Sequence, residues 1–560
     1  MVADCFVAGA ARCEMNTTTL EPNLPQQQGE MTVVVHCAER TLRLTVDRDI
    51  SIRQALDATD LRVRAACGGL GGCGACLIQV VRGDFNPPTL AERQKLLPEE
   101  LDNNFRLACQ LWPRGNGELN LENPAPRSCW KSLDTAQLYR AAPNSEITAN
   151  VYGVAVDLGT THIRLSLWNR QTGRRIGSRY SVNPQVAHGA DVLTRLDAER
   201  LAAPENRRIG QQARHAIIDG VRDILSRDMG EITPILNQLG KVAIVGNTAM
   251  LALLCGSDGA ALFEPENWQH PVACTPGDAE AWRAGWHTPH ADIEAIQPLA
   301  GFIGSDLIAD VLATGIAEQP RPALLADFGT NTEVALWDGN RLWATSVPGG
   351  PAFEGTGIRN GMPADSGAIC KVSRSQGAWQ LQTLTTDAPR GFCASGFIDA
   401  IALLLEEKQL KPSGRFADPQ PENGYRLDLG NPKTAIFAAD IDIFQRAKAS
   451  TAAAMAQLLN LAGLTVGDLA MLWICGSFGR HLNPDSAFRV GLLPAMAAHR
   501  VKLFANASLA GCETLLLNPG SRQRVDAMVA HTRIVNLGGM TTYDDLFIEN
   551  LRLQAMSVSS

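Results

Sequence analysis

Four of the fourteen cysteines stand apart from the rest, in the order Cys67-x5-Cys73-x2-Cys76-x32-Cys109. Thiolates at this spacing can hold a 2Fe–2S cluster, three from one loop and the fourth from a distant segment. Gly68, Gly69, Gly71, Gly72 and Gly74 fill the loop. Without a Cβ, the backbone can wrap a cluster closely and aim N–H groups at its sulfurs. Zinc and disulfides are the rivals. Structural zinc sites usually pair two C-x2-C units, whereas Cys109 stands alone in Arg106-Leu107-Ala108-Cys109-Gln110. Disulfides are disfavoured because no basic-then-apolar secretory leader opens the chain. The cluster is the favoured reading, with zinc and an inert cysteine group as alternatives.

A second constellation is duplicated. Asp157-Leu158-Gly159-Thr160-Thr161 and Asp327-Phe328-Gly329-Thr330-Asn331-Thr332 lie 170 residues apart, each between two apolar runs. A β-hairpin bending at glycine lets backbone N–H groups and threonine hydroxyls approach phosphate oxygens. Asp157 and Asp327, at the strand ends, can hold Mg²⁺ through water; they are the candidate catalytic residues. Two opposed hairpins would clamp one nucleotide's phosphates from both sides. Ala243–Thr248 adds Gly246 and Asn247, and Leu472–Gly479 adds Gly476, Ser477 and Gly479, where backbone could approach a purine or ribose. A lone D-x-G-T is often only a turn; the ordered, duplicated set carries the reading. Glu333 and Glu354 beside these motifs could orient a water or simply make structural hydrogen bonds. His162 reads as a packed strand residue.

The elements that must position these groups follow from periodicity. Residues 1–30 are polar and aperiodic, which reads as a disordered tail. Val33–His36 and Leu42–Val46 form a hairpin, followed by a short helix Ser51–Ala58 capped by Ser51 and, past the cysteine loop, a strand Leu77–Val81. This places one domain over 31–115. Prolines at 113, 124, 126 and 143 mark a linker over 116–150. Strands then alternate with helices over 151–553, an α/β pattern of two related subdomains, with a tail at 554–560.

Composition bounds the partners. The chain has 560 residues, 45% hydrophobic and 19% charged, with 50 basic and 58 acidic side chains and a net charge of −8. That describes a multidomain globular protein with no electrostatic footprint for nucleic acid and no span for a membrane. A cytoplasmic protein is expected.

The "CGGLGGCGAC" loop and "RLACQ" tail resemble the 2Fe–2S ferredoxin family, whose β-grasp fold is then expected over 31–115. The duplicated hairpins resemble the acetate and sugar kinase, Hsp70 and actin superfamily, an actin-like (ribonuclease H-like) ATPase fold. The two together, with "VGNTAM" at 245–250, "PLAGFIGSD" at 298–306, "GPAFEGTGI" at 350–358, "ASGFIDAIALLL" at 394–405, "NASLAGCE" at 506–513 and "DDLFIENL" at 544–551, resemble the ATP-dependent reductive activators of corrinoid proteins. The resemblance implies that one electron passes from the cluster to an inactive Co(II) corrinoid of a methyltransferase system, regenerating Co(I) with ATP hydrolysis. An upstream electron donor is implied too, and a homodimer is left open. It departs from some relatives in lacking a C-terminal 4Fe–4S motif, and the short stretch after the cluster domain suggests that their middle domain is reduced or absent. Activation of another metallocofactor enzyme, a small-molecule kinase with a redox accessory domain, and a nucleotide-gated redox sensor stand as alternatives.

Overall fold

The computed structural model describes Arg12–Glu14 and, from Glu30 to Val558, all residues but 38–39, 58, 60, 65–66, 68, 70, 123, 126–127, 134–140, 190, 203–207, 226–231, 350, 356, 385–387, 419–423 and 477. Three six-stranded sheets organise the chain.

In the first sheet, Glu30–Cys37 and Arg40–Asp47 form the expected hairpin, with inward Val33, Val35, Leu42 and Leu44 fully buried. Alternation of apolar and polar residues gives each strand one core face. The helix Ile52–Asp57 crosses this face. It opens on a reciprocal cap in which Gln54 N–H donates to Ser51 Oγ and Ser51 N–H to Gln54 Oε1. Pro113–Asn120 runs parallel to the first strand and antiparallel to Leu77–Phe85, so the sheet continues past residue 115. A parallel mixed pair at the centre, with a helix laid across one face, is the expected β-grasp. Of the expected N-terminal tail, Arg12–Glu14 pairs with Arg43–Thr45; the rest lies outside the described residues. Within 116–150, Lys131–Ser132 is the edge strand of the next sheet.

The other two sheets repeat one topology. In the first, Tyr152–Leu158, His162–Asn169 and Arg174–Val182 form an antiparallel meander, with Leu239–Gly246 and then Asp292–Ala295 added in parallel. In the second, Ala323–Phe328, Thr332–Trp337 and Leu342–Val347 form the meander, with Met471–Gly476 and Val501–Leu503 in parallel. Register matches too: Gly246 lies beside Leu158 and Gly476 beside Phe328, one residue past each motif aspartate. Both faces of the central strands are covered, so they read as continuous apolar runs.

Each last parallel strand leads to a helix, Ser305–Thr314 in one subdomain and Ala507–Leu517 in the other. These two helices pack together between the sheets in a shared apolar core. At Gly511 a Cβ would fall inside the backbone of Ala309, so only glycine permits this approach. Near the C-terminus, Met556 is buried and Ser557 N–H donates to Asn550 Oδ1 at 3.0 Å, so the segment after 553 packs on the second subdomain.

Candidate functional site

The cysteine loop follows the cap helix of the first domain and returns against Ala108–Gln110. Cys67, Cys76 and Cys109 are buried and Cys73 is half-buried. The thiols sit as two pairs. Cys67 is held down to about 4, first by the hydrogen bond from Cys73 and then by backbone N–H groups of the loop, against the opposing effect of burial. In the other pair the Cys76–Cys109 hydrogen bond pushes Cys76 up and Cys109 down. Ala75 N–H points at Cys73 Sγ at 3.4 Å and Gln110 Nε2 at Cys109 Sγ at 3.8 Å. Four soft donors in two pairs, each backed by N–H groups, fit a two-iron cluster with two thiolates per iron. Among the described residues, no three thiol, imidazole or carboxylate groups are placed to hold a single ion. The loop is braced from below: a buried Glu92 accepts from Arg106 Nε and Nη2 at 2.8 and 2.9 Å and from Leu107 N–H at 3.0 Å, two residues before Cys109.

The second site is a cleft, open to solvent, between the two actin-like subdomains. It gathers Asp157, Gly159, Thr160, Thr161, Asn247, Asp327, Gly329, Thr330, Asn331 and Gly476 from the sequence-derived set. The two hairpin tips meet: Thr161 Oγ1 lies 3.3 Å from Thr330 Oγ1, and both hydroxyls donate to Glu354 Oε2, at 2.8 and 3.4 Å. Each tip is closed by its glycine N–H, Gly159 to His162 O at 3.0 Å and Gly329 to Asn331 O at 2.9 Å. The first tip is also held from behind, where buried Arg195 Nη1 donates to Thr160 O and Asn183 Nδ2 to Gly159 O. Asn247 caps the helix Thr248–Cys255, its Oδ1 accepting from Ala249 N–H. Gly476 has φ +66°, and a Cβ there would collide with Asp327 Oδ1 and Phe328 O.

Three members of the set stand back from the cleft lining. Gly246 packs on Leu158 O, Gly479 packs on the Phe504 carbonyl, and Thr332 is fully buried beneath the second hairpin. Sequence spacing marks a motif, and the strand's alternation then turns every other residue away from the opening. Ser477 lies outside the described residues. His162, at the start of its strand, lines the cleft, and burial pushes its imidazole down to about 4.

The cleft floor holds more carboxyls than the motifs announce. Asp306, at the first turn of Ser305–Thr314, and Asp310, one turn on, join Asp157, Asp327 and Glu333. Burial first, and then mutual repulsion, push Asp306 up to about 7 and Glu333 well above the carboxylate range. Burial likewise raises Asp327 to about 6 and raises Asp157, against the opposing pull of Arg164, whose Nη1 lies 3.1 Å from Asp157 Oδ2. Asp310 is raised well above the carboxylate range, first by burial and then by the charge of Asp327 beside it. Ser508 Oγ donates to Asp310 Oδ1 at 3.0 Å from the facing helix. Asp306, Asp310, Asn506 and Ser508 were not among the sequence candidates, although they lie in or beside "PLAGFIGSD" and "NASLAGCE". Their signal was the duplication itself: each motif follows the last parallel strand of a subdomain and starts a helix at the cleft.

Comparison with known proteins follows this architecture. The family model described as the 2Fe-2S iron-sulfur cluster binding domain matches residues 35–114. The RACo middle region matches 152–319, and the C-terminal domain of RACo, the ASKHA domain, matches 321–560. The middle-region match coincides with the first actin-like subdomain. The "Corrinoid activation enzyme RamQ" of Eubacterium limosum is 28% identical over 446 residues, covering 74% of this chain and 72% of that protein. The "[Co(II) methylated amine-specific corrinoid protein] reductase" of Methanosarcina barkeri is 27% identical over 410 residues, covering 68% and 72%. The solved "Reductive activator for corrinoid,iron-sulfur protein" has the same fold, with a TM-score of 0.60 at 23% identity over 94% of this chain and 99% of that one. With a 2Fe–2S domain followed by the two RACo regions in this order, the chain belongs to the RACo family.

Proposed function

We propose that this chain is a reductive activase: it delivers one electron to the Co(II) corrinoid of a methyltransferase system, giving Co(I), and couples this to ATP hydrolysis. The observation that carries the reading is the joining, in one chain, of a four-thiol loop and a two-hairpin carboxyl-floored cleft. Such a pairing serves electron transfer gated by a nucleotide. Two relatives are named for corrinoid activation and for reduction of a Co(II) corrinoid protein.

Cys67, Cys73, Cys76 and Cys109 would hold the 2Fe–2S cluster, which supplies the electron when bound. The hydroxyls of Thr160, Thr161 and Thr330 and the tip amides would receive phosphate oxygens, and Arg164 would balance added negative charge. Asp157, Asp327 and Asp306 would hold Mg²⁺. Magnesium dehydrates reluctantly, so these carboxylates would hold it largely through water. Because Glu354 already accepts from both hairpin threonines, an arriving phosphate must displace it, leaving its carboxylate beside the phosphate to orient a water. A separate one-electron carrier would reload the cluster. Among the described residues no helix is long and apolar enough to cross a membrane.

The test is anaerobic. Purified protein is expected to be reddish, with two irons per chain, and to convert a purified Co(II) corrinoid protein to Co(I) only with ATP and a reductant, followed by the corrinoid's visible spectrum. Cys109→Ser is expected to lose or weaken the cluster's colour and the cobalt reduction. Stoichiometric zinc without iron, or cobalt reduction indifferent to ATP, would refute the reading.

A further inference from the structure

The groups around the thiol loop include one cation that the site itself does not explain. Arg53, on the helix Ile52–Asp57, is only 4% exposed. Its Nη2 donates to Ile224 O, in the last turn of the helix Ile209–Leu225 of the first actin-like subdomain, at 3.0 Å. Asp57 Oδ2 lies 3.8 Å from Nη2, too far for a close ion pair. Arg53 Nε is buried with no hydrogen-bond partner among the described residues. The guanidinium is pressed against the loop: a Cβ at Gly69 would lie 2.5 Å from Nη1. After Asp57, the negative groups whose charge acts on it are Cys76, Cys109 and Cys67. A buried guanidinium with an orphaned N–H is costly unless another anion completes it. Three of the four cysteines of the loop site lie near enough for their charge to act on it.

We propose that Arg53 is a positioning residue that sets the reduction potential of the cluster, its charge favouring the reduced form. This rests on the reading that the four cysteines hold a 2Fe–2S unit. Reduction adds one electron and makes the cluster and its thiolates one unit more negative, with no bond made or broken. In a low-dielectric site that added charge is stabilised by a fixed cation. Ile224 O and the packed Gly69 hold the guanidinium in place, so the nucleotide-binding half helps to fix the charge beside the cluster. The surrounding contact is itself ionic. Asp223 pairs with Arg62 and with Arg179 at 2.7 Å, Arg62 Nη2 donates to Trp130 O, and Arg179 Nη2 lies 3.5 Å from Asp57 Oδ1.

The test is a mediated potentiometric titration of the full-length, iron-loaded protein, read by visible absorption and electron paramagnetic resonance. It needs neither ATP nor a corrinoid protein. Arg53→Gln is expected to reduce the ratio of reduced to oxidised cluster at a fixed potential about tenfold, a fall of about 59 mV for a one-electron couple. Arg53→Lys, which keeps the charge, is expected to recover most of that shift. Asp57→Asn, which removes the opposing carboxylate, is expected to move the potential upward. An Arg53→Gln protein with two irons and an unchanged potential overturns the proposal. If that variant fails to load iron, the Asp57→Asn titration decides: an upward shift supports the proposal, and no shift overturns it. Absence of any two-iron spectrum in the unaltered protein would overturn the functional reading as well, whereas loss of ATP-dependent cobalt reduction alone would leave Arg53's role standing.

Discussion

At the scale of single residues, the two sites differ in how they treat charge. The thiol loop has a buried arginine and backbone N–H groups beside it, while the cleft crowds carboxyls, with Arg164 3.1 Å from Asp157. Asp157→Ala and Asp327→Ala are each expected to lower ATP turnover about 100-fold or more, with the cluster's visible spectrum unchanged, because the proposed function assigns phosphate and Mg²⁺ positioning to the second site. Normal turnover in both variants would remove the phosphate assignment. Asp306 gives a pH signature. Its carboxyl is raised to about 7 in the fold against 3.8 in its absence, so the folded state binds the proton more tightly. Stability from this group is therefore greatest below about pH 4, falls as pH rises to about 7, and is level above that. Asp306→Asn is expected to raise the nucleotide-free melting temperature at pH 8 by the equivalent of about 1 kcal/mol, after screening by cleft water, and to leave it unchanged near pH 4. Thermal scans at the two pH values check it. The motif aspartates and hairpin threonines were legible from spacing. Asp306 and Asp310 were not, because an aspartate early in a helix reads in sequence as an ordinary helix-start residue.

At the scale of elements, the repeat explains why the cleft has two similar walls. Gly246 and Gly476 occupy equivalent positions, and the helices Ser305–Thr314 and Ala507–Leu517 equivalent places. Each helix brings its first turn to the cleft, and the two lie against each other at Ala309 and Gly511. Gly511→Val is expected to cost about 1–3 kcal/mol by overpacking that crossing. Because Ser508 and Asp310 lie at the same crossing, nucleotide affinity should fall with it. Equilibrium denaturation and nucleotide titration measure both, and a variant as stable as the parent would show that the helices can separate freely. The hairpins were legible as apolar runs on either side of the motif glycines. The crossing was not, since a glycine inside a helical run gives no sign of what approaches it.

At the scale of the whole molecule, the question is how a nucleotide helps an electron leave. Glu354 joins both hairpins, and Lys131 Nζ, from the edge of the first actin-like sheet, meets Asp365 of the second subdomain at 2.7 Å. Nucleotide is therefore placed to change how the two subdomains sit. The contacts of Arg53, by contrast, lie wholly within the ferredoxin domain and the first subdomain. The cluster's midpoint potential is expected to be nearly unchanged by ATP, while affinity for the Co(II) partner changes, with partner and nucleotide altering each other's binding by the same factor. Potentiometry and binding titrations with and without nucleotide check this; a large shift in potential with constant partner affinity would place the action of ATP on the donor instead. The sequence by itself determined the ferredoxin-like cysteine spacing, the duplicated phosphate hairpins and their order along the chain, because these are local patterns of residue type. Only the tertiary structure decided that the hairpin threonines share Glu354, that five carboxyls meet beneath them, and that Arg53 reaches across to Ile224. Those contacts join residues from about 20 to more than 190 positions apart, and no local periodicity encodes which buried charge will find which partner.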